Sequence, residues 1–273
     1  MQRINIFKTI LTSFFLLLFF VGFGQDFSKD SYYVSILRLH GEVDAYREEW
    51  QSIEQEFFDK VINKNDYIKG HEMLIETIDN RLSEVLIINM YKDWSDIELA
   101  RKRTDELIEE AWPDEKKRAE YFEKQNKNFS LYYSNEIMTT TKNVKMRDHT
   151  KDDRSKPLTF YLVFNKLVDN PDDDIINAYE DYLQFVTYKN TNIRSYQAYR
   201  HFIGPDSRDF LEVYVADSYD DLLNSFDLDK ALLLQMFPDE QERENFIEVY
   251  NAGVLQEEGK VFQNIPSQSK YSR

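Results

Sequence analysis

Apolar residues recur along this chain at two spacings in turn, and that alternation predicts the elements. Residues 32–39 are rich in aromatic and branched side chains, a strand signature. Val43, Tyr46, Trp50, Ile53, Phe57 and Val61 follow at spacings of three and four, one apolar stripe on a helix. Segments 68–77 and 84–91 predict a strand pair joined by a polar turn at Asp79-Asn80, and 96–111 predicts a second helix. Pro113 opens a third helix, because proline suits a first helical turn and acids there meet the positive end of the dipole. Residues 136–144 predict a strand. The order then returns: strand 158–166, helix 174–188, strands 194–203 and 209–216, helices near 220–236 and 238–257, and strand 260–265.

The return is a repeat. Segment 69–122 falls without gaps on 194–247, 125 residues further on. Trp112-Pro113-Asp114-Glu115 meets Phe237-Pro238-Asp239-Glu240, Arg118 meets Arg243, Asp96 meets Asp221, and Leu86 meets Leu211. The reading is a first copy at 30–138, a polar, charge-rich linker at 139–157, and a second copy at 158–266. Strand, helix, strand, strand, broken helix, strand is the split β-α-β order of a ferredoxin-like unit. Such a unit covers one sheet face with helices and leaves the other in need of cover. The predicted class is therefore α+β: tandem ferredoxin-like repeats (β-α-β-β-α-α-β twice) closing into an intrachain α/β barrel.

With that order, the duplication, Trp94, Trp112-Pro113-Asp114-Glu115 and Asn135-Glu136-Ile137, the chain resembles the dimeric α/β-barrel superfamily, which includes antibiotic-biosynthesis monooxygenase-like and NIPSNAP-like domains. The resemblance covers most of the chain after residue 24. It carries no residue roles. Haem enzymes of the superfamily use a helix-borne His, and the predicted helices here hold none, so no cofactor is expected.

Composition narrows the classes further. There are 34 Lys and Arg against 50 Asp and Glu, a formal charge of -16. That balance speaks against duplex DNA or an anionic membrane as partner. No Cys means no disulfide framework and no thiolate metal site. An aromatic share of 15% is that of a folded chain. Residues 1–24 carry Arg3, Lys8, an apolar run and small Gly22 and Gly24, the pattern of a signal peptide cleaved after Gly24. The expected product is exported, periplasmic or secreted, free of the membrane after cleavage, and monomeric because each copy supplies the other's partner.

Candidate chemistry depends on which way the strand side chains point. In the third strand Leu86, Ile88 and Met90 match Leu211, Val213 and Val215, and this apolar set is assigned to the helix-covered face. The alternate positions would then line a cavity between the sheets. With the second strand's Glu72, Leu74, Glu76 and Gln197, Tyr199, His201, the candidate ligand-binding set is Arg38, Glu72, Glu76, Asn89, Tyr199, His201, Glu212 and Tyr214, and Asn165 is taken as the counterpart of Arg38. Glu76 and His201 are repeat mates, and a His beside carboxylates suits a general base or a His/Glu metal site. No metal site is assigned. His40 and His71 read as surface or satisfied core residues, His149 as solvated, and Trp50, Trp94 and Trp112 as core. The expected function is binding of a small apolar or aromatic molecule between the sheets. Alternatives are an envelope interaction module without an active site, or a cofactor-independent oxygenase or isomerase-like enzyme using His201, Tyr199 and Glu76.

Overall fold

The computed structural model describes residues 31–41, 47–77, 83–127, 129–146 and 155–271; the expected signal at 1–24 and His149 lie outside them. Tyr32–Arg273 forms one compact unit. The first copy comprises β1 (Tyr33–Gly41), α1 (Arg47–Phe57) with a π-helical turn (Phe58–Ile62), β2 (Gly70–Glu76), β3 (Ser83–Tyr91), α2 (Trp94–Ala111), α3 (Glu115–Asn126) and β4 (Phe129–Lys145). The second comprises β5 (Thr159–Leu167), α4 (Asp173–Tyr182) with a π-helical turn (Leu183–Thr187), β6 (Ser195–Ile203), β7 (Asp209–Ala216), α5 (Tyr219–Met236), α6 (Glu240–Asn251) and β8 (Val254–Asn264); β9 (Lys270–Tyr271) follows. Strand β4 runs to Lys145, so the first part of the expected linker is strand.

The sheet order is β4-β1-β3-β2 in the first copy and β8-β5-β7-β6 in the second, the ferredoxin-like order in both. Each outer strand then pairs with the other copy: β4 with β6, and β8 with β2. Eight antiparallel strands thus close a ring. It is an uneven one, since β4–β6 shifts register twice and the β8–β2 ladder is short, pairing Leu74–Asn264, Ile75–Gln263 and Glu76–Phe262 with the Thr77 and Ile265 amides extending it at either end.

Reciprocal contacts lock the copies. Lys145, at the end of β4, donates to the Thr187 and Asn190 carbonyls under the second copy's π turn. Lys270 does the same from β9, reaching the Ile62, Asn63 and Asn65 carbonyls at 3.1, 3.3 and 2.8 Å. Cations suit the negative end of a helix. Burial pushes both amines down.

The duplication extends to buried polar detail. Asn65 donates to the Ala100 carbonyl at 2.8 Å and accepts from the Tyr67 amide; Asn190 donates to the Ser225 carbonyl at 2.9 Å and accepts from the Asn192 amide. Both asparagines are fully buried. Each pins the start of its second strand to its long helix. Asn65→Ala and Asn190→Ala are each expected to cost about 2–3 kcal/mol, because truncation strands buried backbone groups. Urea unfolding midpoints check this, and a loss confined to one of the two would contradict the equivalence.

The largest core fills the ring. Val34, Ile36, Leu74, Leu86 and Met138 of the first copy meet Leu158, Phe160, Leu162, Leu211, Val213, Val215 and Phe262 of the second. This corrects the face assigned to β3 and β7: Leu86, Ile88 and Met90, with Leu211, Val213 and Val215, point into the ring, and the alternate positions lie under the helices. Both faces are buried, so apolar alternation does not distinguish them. Register corrects a second pairing. Arg38 lies opposite Leu86 and Phe164 opposite Leu211, so Phe164, not Asn165, is the repeat mate of Arg38. The two mates touch, with the Arg38 guanidinium 3.8 Å from the Phe164 ring centre. Glu84, 1% exposed, accepts from Lys260 at 2.7 Å and pairs with Arg38 at 3.5 Å beside them. Trp50 and Trp112 are core as expected, whereas Trp94 is 45% exposed against Tyr33 and Phe202.

Candidate functional site

Under the helices of the first copy lies a cavity of about 200 Å³. Strands β1, β2 and β3 supply its floor through Leu37, Leu39, His71, Met73 and Ile87; α1 and its π turn supply Glu54, Phe57, Phe58 and Ile62; the last turn of α3 supplies Gln125 and Asn126. The α1 stripe explains the wall. Trp50, Glu54, Phe57 and Phe58 share the face turned to the sheet, and the wider π turn carries Phe58, Val61 and Ile62 onto the same side.

Two titratable groups stand in this apolar setting. Glu54 is 6% exposed and accepts from Gln125 at 3.0 Å. Burial pushes its carboxyl up to about 7, with the Gln125 and Trp50 bonds working against the rise. His71 is 4% exposed, and its Nδ1 lies 2.7 Å from Asn89 Oδ1. With an amide oxygen as acceptor, Nδ1 carries the proton and Nε2 keeps a lone pair. Among the described residues nothing bonds Nε2, while the ring borders the cavity. Burial pushes the imidazole down to about 4; the Asn89 bond opposes this and the Lys270 charge adds to it. At neutral pH the cavity thus presents an uncharged base and a carboxyl near half-protonation. The pair can accept a hydrogen bond, or hold and release a proton, beside an apolar ring-sized space.

In the second copy the equivalent space holds side chains. Glu212, 4% exposed, accepts from Tyr196 at 2.6 Å, Tyr179 at 3.3 Å, Tyr214 at 3.4 Å and Asn165 at 2.9 Å. Burial raises its carboxyl and these four bonds oppose the rise. Tyr182 and Tyr250 stack beside it at 4.6 Å.

The eight residues proposed from sequence divide between two places. Arg38, Glu72, Glu76, Tyr199 and His201 face the ring, where Glu72 accepts from Ser269 at 2.7 Å and from Tyr271, Glu76 accepts from the Glu84 amide at 3.3 Å, Tyr199 packs on the core, and His201 lies opposite Met138. Asn89, Glu212 and Tyr214 lie under the helices: Asn89 orients His71, and the other two share the tyrosine network. His71 is no ordinary core histidine, since only one of its nitrogens is satisfied among the described residues. Glu54 and Gln125 were not singled out. Glu54 carried a signal, a carboxylate four residues after Trp50 and three before Phe57 on the apolar stripe. Among the described residues no three His, Asp or Glu side chains group to hold a metal, and no helix is long and apolar enough to cross a membrane.

No protein-family model and no curated protein matches the chain. Solved structures do. A proposed monooxygenase from Fusobacterium nucleatum subsp. nucleatum is 8% identical, with 86% of this chain and 93% of that one covered at a TM-score of 0.57. One from Lactobacillus acidophilus is 10% identical over 89% and 97%, at 0.52. An anthrone oxidase-like protein is 11% identical over 85% and 91%, at 0.50. At such identities the likeness is one of fold: this chain has two paired ferredoxin-like units in a single polypeptide, as its strand order shows.

Proposed function

We propose that this protein binds a small, largely apolar molecule in the cavity beneath α1 and α3 of the first copy. The observation that carries the reading is a void of about 200 Å³ with apolar walls and two buried polar groups, Glu54 and His71, at its edge. Ligand sites pair apolar walls with a few convergent polar groups in this way. The size sets the ligand class, since a cavity of about 150 Å³ accommodates benzene. Apolar packing inside the ring supports taking this cavity, rather than the space between the sheets, as the site. The basic, then apolar, start of the chain supports export, and mutual closure of the two copies supports a monomer.

A second reading is favoured by His71 itself. A neutral imidazole with an open Nε2, lining the same cavity as a carboxyl near neutrality, is equipped to take a proton from a bound substrate and return it elsewhere, as a cofactor-independent oxygenase or isomerase-like enzyme requires. The neighbours described as monooxygenases and anthrone oxidase-like sit easily with it.

Isothermal titration of the full chain with single-ring compounds tests the binding reading. At least one should bind with one-to-one stoichiometry, and Ile87→Phe, which places a ring in the cavity, should weaken it tenfold or more. Unchanged binding in that variant, or none by any compound at millimolar concentration, would sink the reading.

A further inference from the structure

The two copies solve the same packing problem differently, and the comparison describes the missing ligand. Register makes the positions equivalent. His71 lies opposite Asn89 and Lys270, as Tyr196 lies opposite Tyr214 and Lys145. The π turns Phe58–Ile62 and Leu183–Thr187 stand at the repeat's own offset, which sets Glu54 on Tyr179 and Phe57 on Tyr182. The same offset sets Gln125 on Tyr250 and Ile87 on Glu212.

The cavity positions of the first copy are therefore the tyrosine positions of the second. There, phenol rings occupy the space between sheet and helices and turn their hydroxyls toward a buried acceptor. Tyr196 donates to Glu212 at 2.6 Å, and Tyr179 and Tyr196 share a hydroxyl contact of 2.7 Å. In the first copy Tyr196 and Tyr250 give way to the smaller His71 and Gln125, and the space opens. The acceptors remain, moved from the sheet carboxylate to His71 Nε2 and Glu54. Resting on the binding reading above, we propose that the ligand of the first-copy cavity is a phenol, a single aromatic ring bearing one neutral hydroxyl, taking the place that tyrosine side chains fill in the second copy.

The apolar wall of Leu37, Met73, Ile87 and Phe57 takes the ring, and the open nitrogen of His71 takes the hydroxyl hydrogen. A carboxylate ligand would meet Glu54 and lose its own hydration with no cation among the described lining residues. An ammonium ligand would be drawn to Glu54 but would lose its hydration against the apolar wall of Leu37, Met73, Ile87 and Phe57.

Titration of the full chain with phenol, toluene, benzoate and benzylammonium tests this. Phenol should bind at least tenfold tighter than each of the others, because toluene leaves the buried acceptors unpaired and the two ions are desolvated. His71→Tyr, which installs the second copy's residue, should abolish phenol binding, as should Gln125→Tyr, made in case the first variant does not fold. Toluene binding as tightly as phenol, or either ion binding more tightly, would overturn the phenol assignment while leaving the cavity as the site. Binding of phenol unaltered in folded His71→Tyr and Gln125→Tyr would overturn the assignment to this cavity, and no binding by any of the four removes the phenol.

Discussion

Glu212→Ala is expected to destabilise the fold by about 3–5 kcal/mol, the largest effect of any single polar substitution here. Glu212 gathers Tyr196, Tyr179, Tyr214 and Asn165 on one buried carboxylate. Truncation leaves buried donors without an acceptor and opens a hole beneath α4. Glu212→Gln should cost much less. Its oxygen still accepts from the tyrosines, and a rotated Asn165 amide can offer its buried, unbonded Oδ1 to the new amide hydrogens. Guanidinium unfolding of the two variants checks this; equal losses would mean that the carboxylate's charge, not its acceptor capacity, holds the network.

Glu54→Gln should change the pH dependence of stability by about 3 kcal/mol between pH 4 and pH 8. The folded carboxyl has its pKa raised to about 7 from an ordinary 4.5, so the folded chain holds the proton more tightly. Stability from this group is fully present below about 4.5 and is lost as pH rises through about 7. The glutamine variant stays neutral and loses nothing over that range, so it should gain on the wild type as pH rises. His71 works with the opposite sign. Its folded pKa, about 4 against an ordinary 6.5, gives stability that is complete above 6.5 and lost as pH falls through about 4. The wild-type profile is therefore the balance of the two, and the difference between wild type and Glu54→Gln isolates the carboxyl. Urea unfolding of both at the two pH values measures it; a difference independent of pH would show that Glu54 is not held in a low-dielectric site.

The architecture was legible because it rests on patterns that survive divergence. Period-two and period-3.6 stripes located the elements, most of them to within a few residues, though β4 and β8 begin well before the expected 136 and 260, and the offset joining Leu86 to Leu211 and Arg118 to Arg243 revealed the duplication. Which sheet face turns inward was not legible. In a closed ring both faces are dry, and Leu86 against Ile87 gives no hint of which meets a helix. The cavity was hidden for a related reason. It exists because His71 and Gln125 are smaller than Tyr196 and Tyr250, a difference of volume between equivalent positions that can be weighed only once register makes them equivalent. Glu54 on the stripe of α1 was the one local clue.

The histidines offer the most direct test of where ligand goes. The chain has four, of which His71 borders the first-copy cavity and His201 faces the ring. In a nitrogen-15 imidazole spectrum, adding phenol to the full chain should shift His71 Nε2 as its lone pair gains a hydrogen bond, and leave His201 unmoved. A shift of His201 with His71 unchanged would place the ligand between the sheets and contradict the site described above.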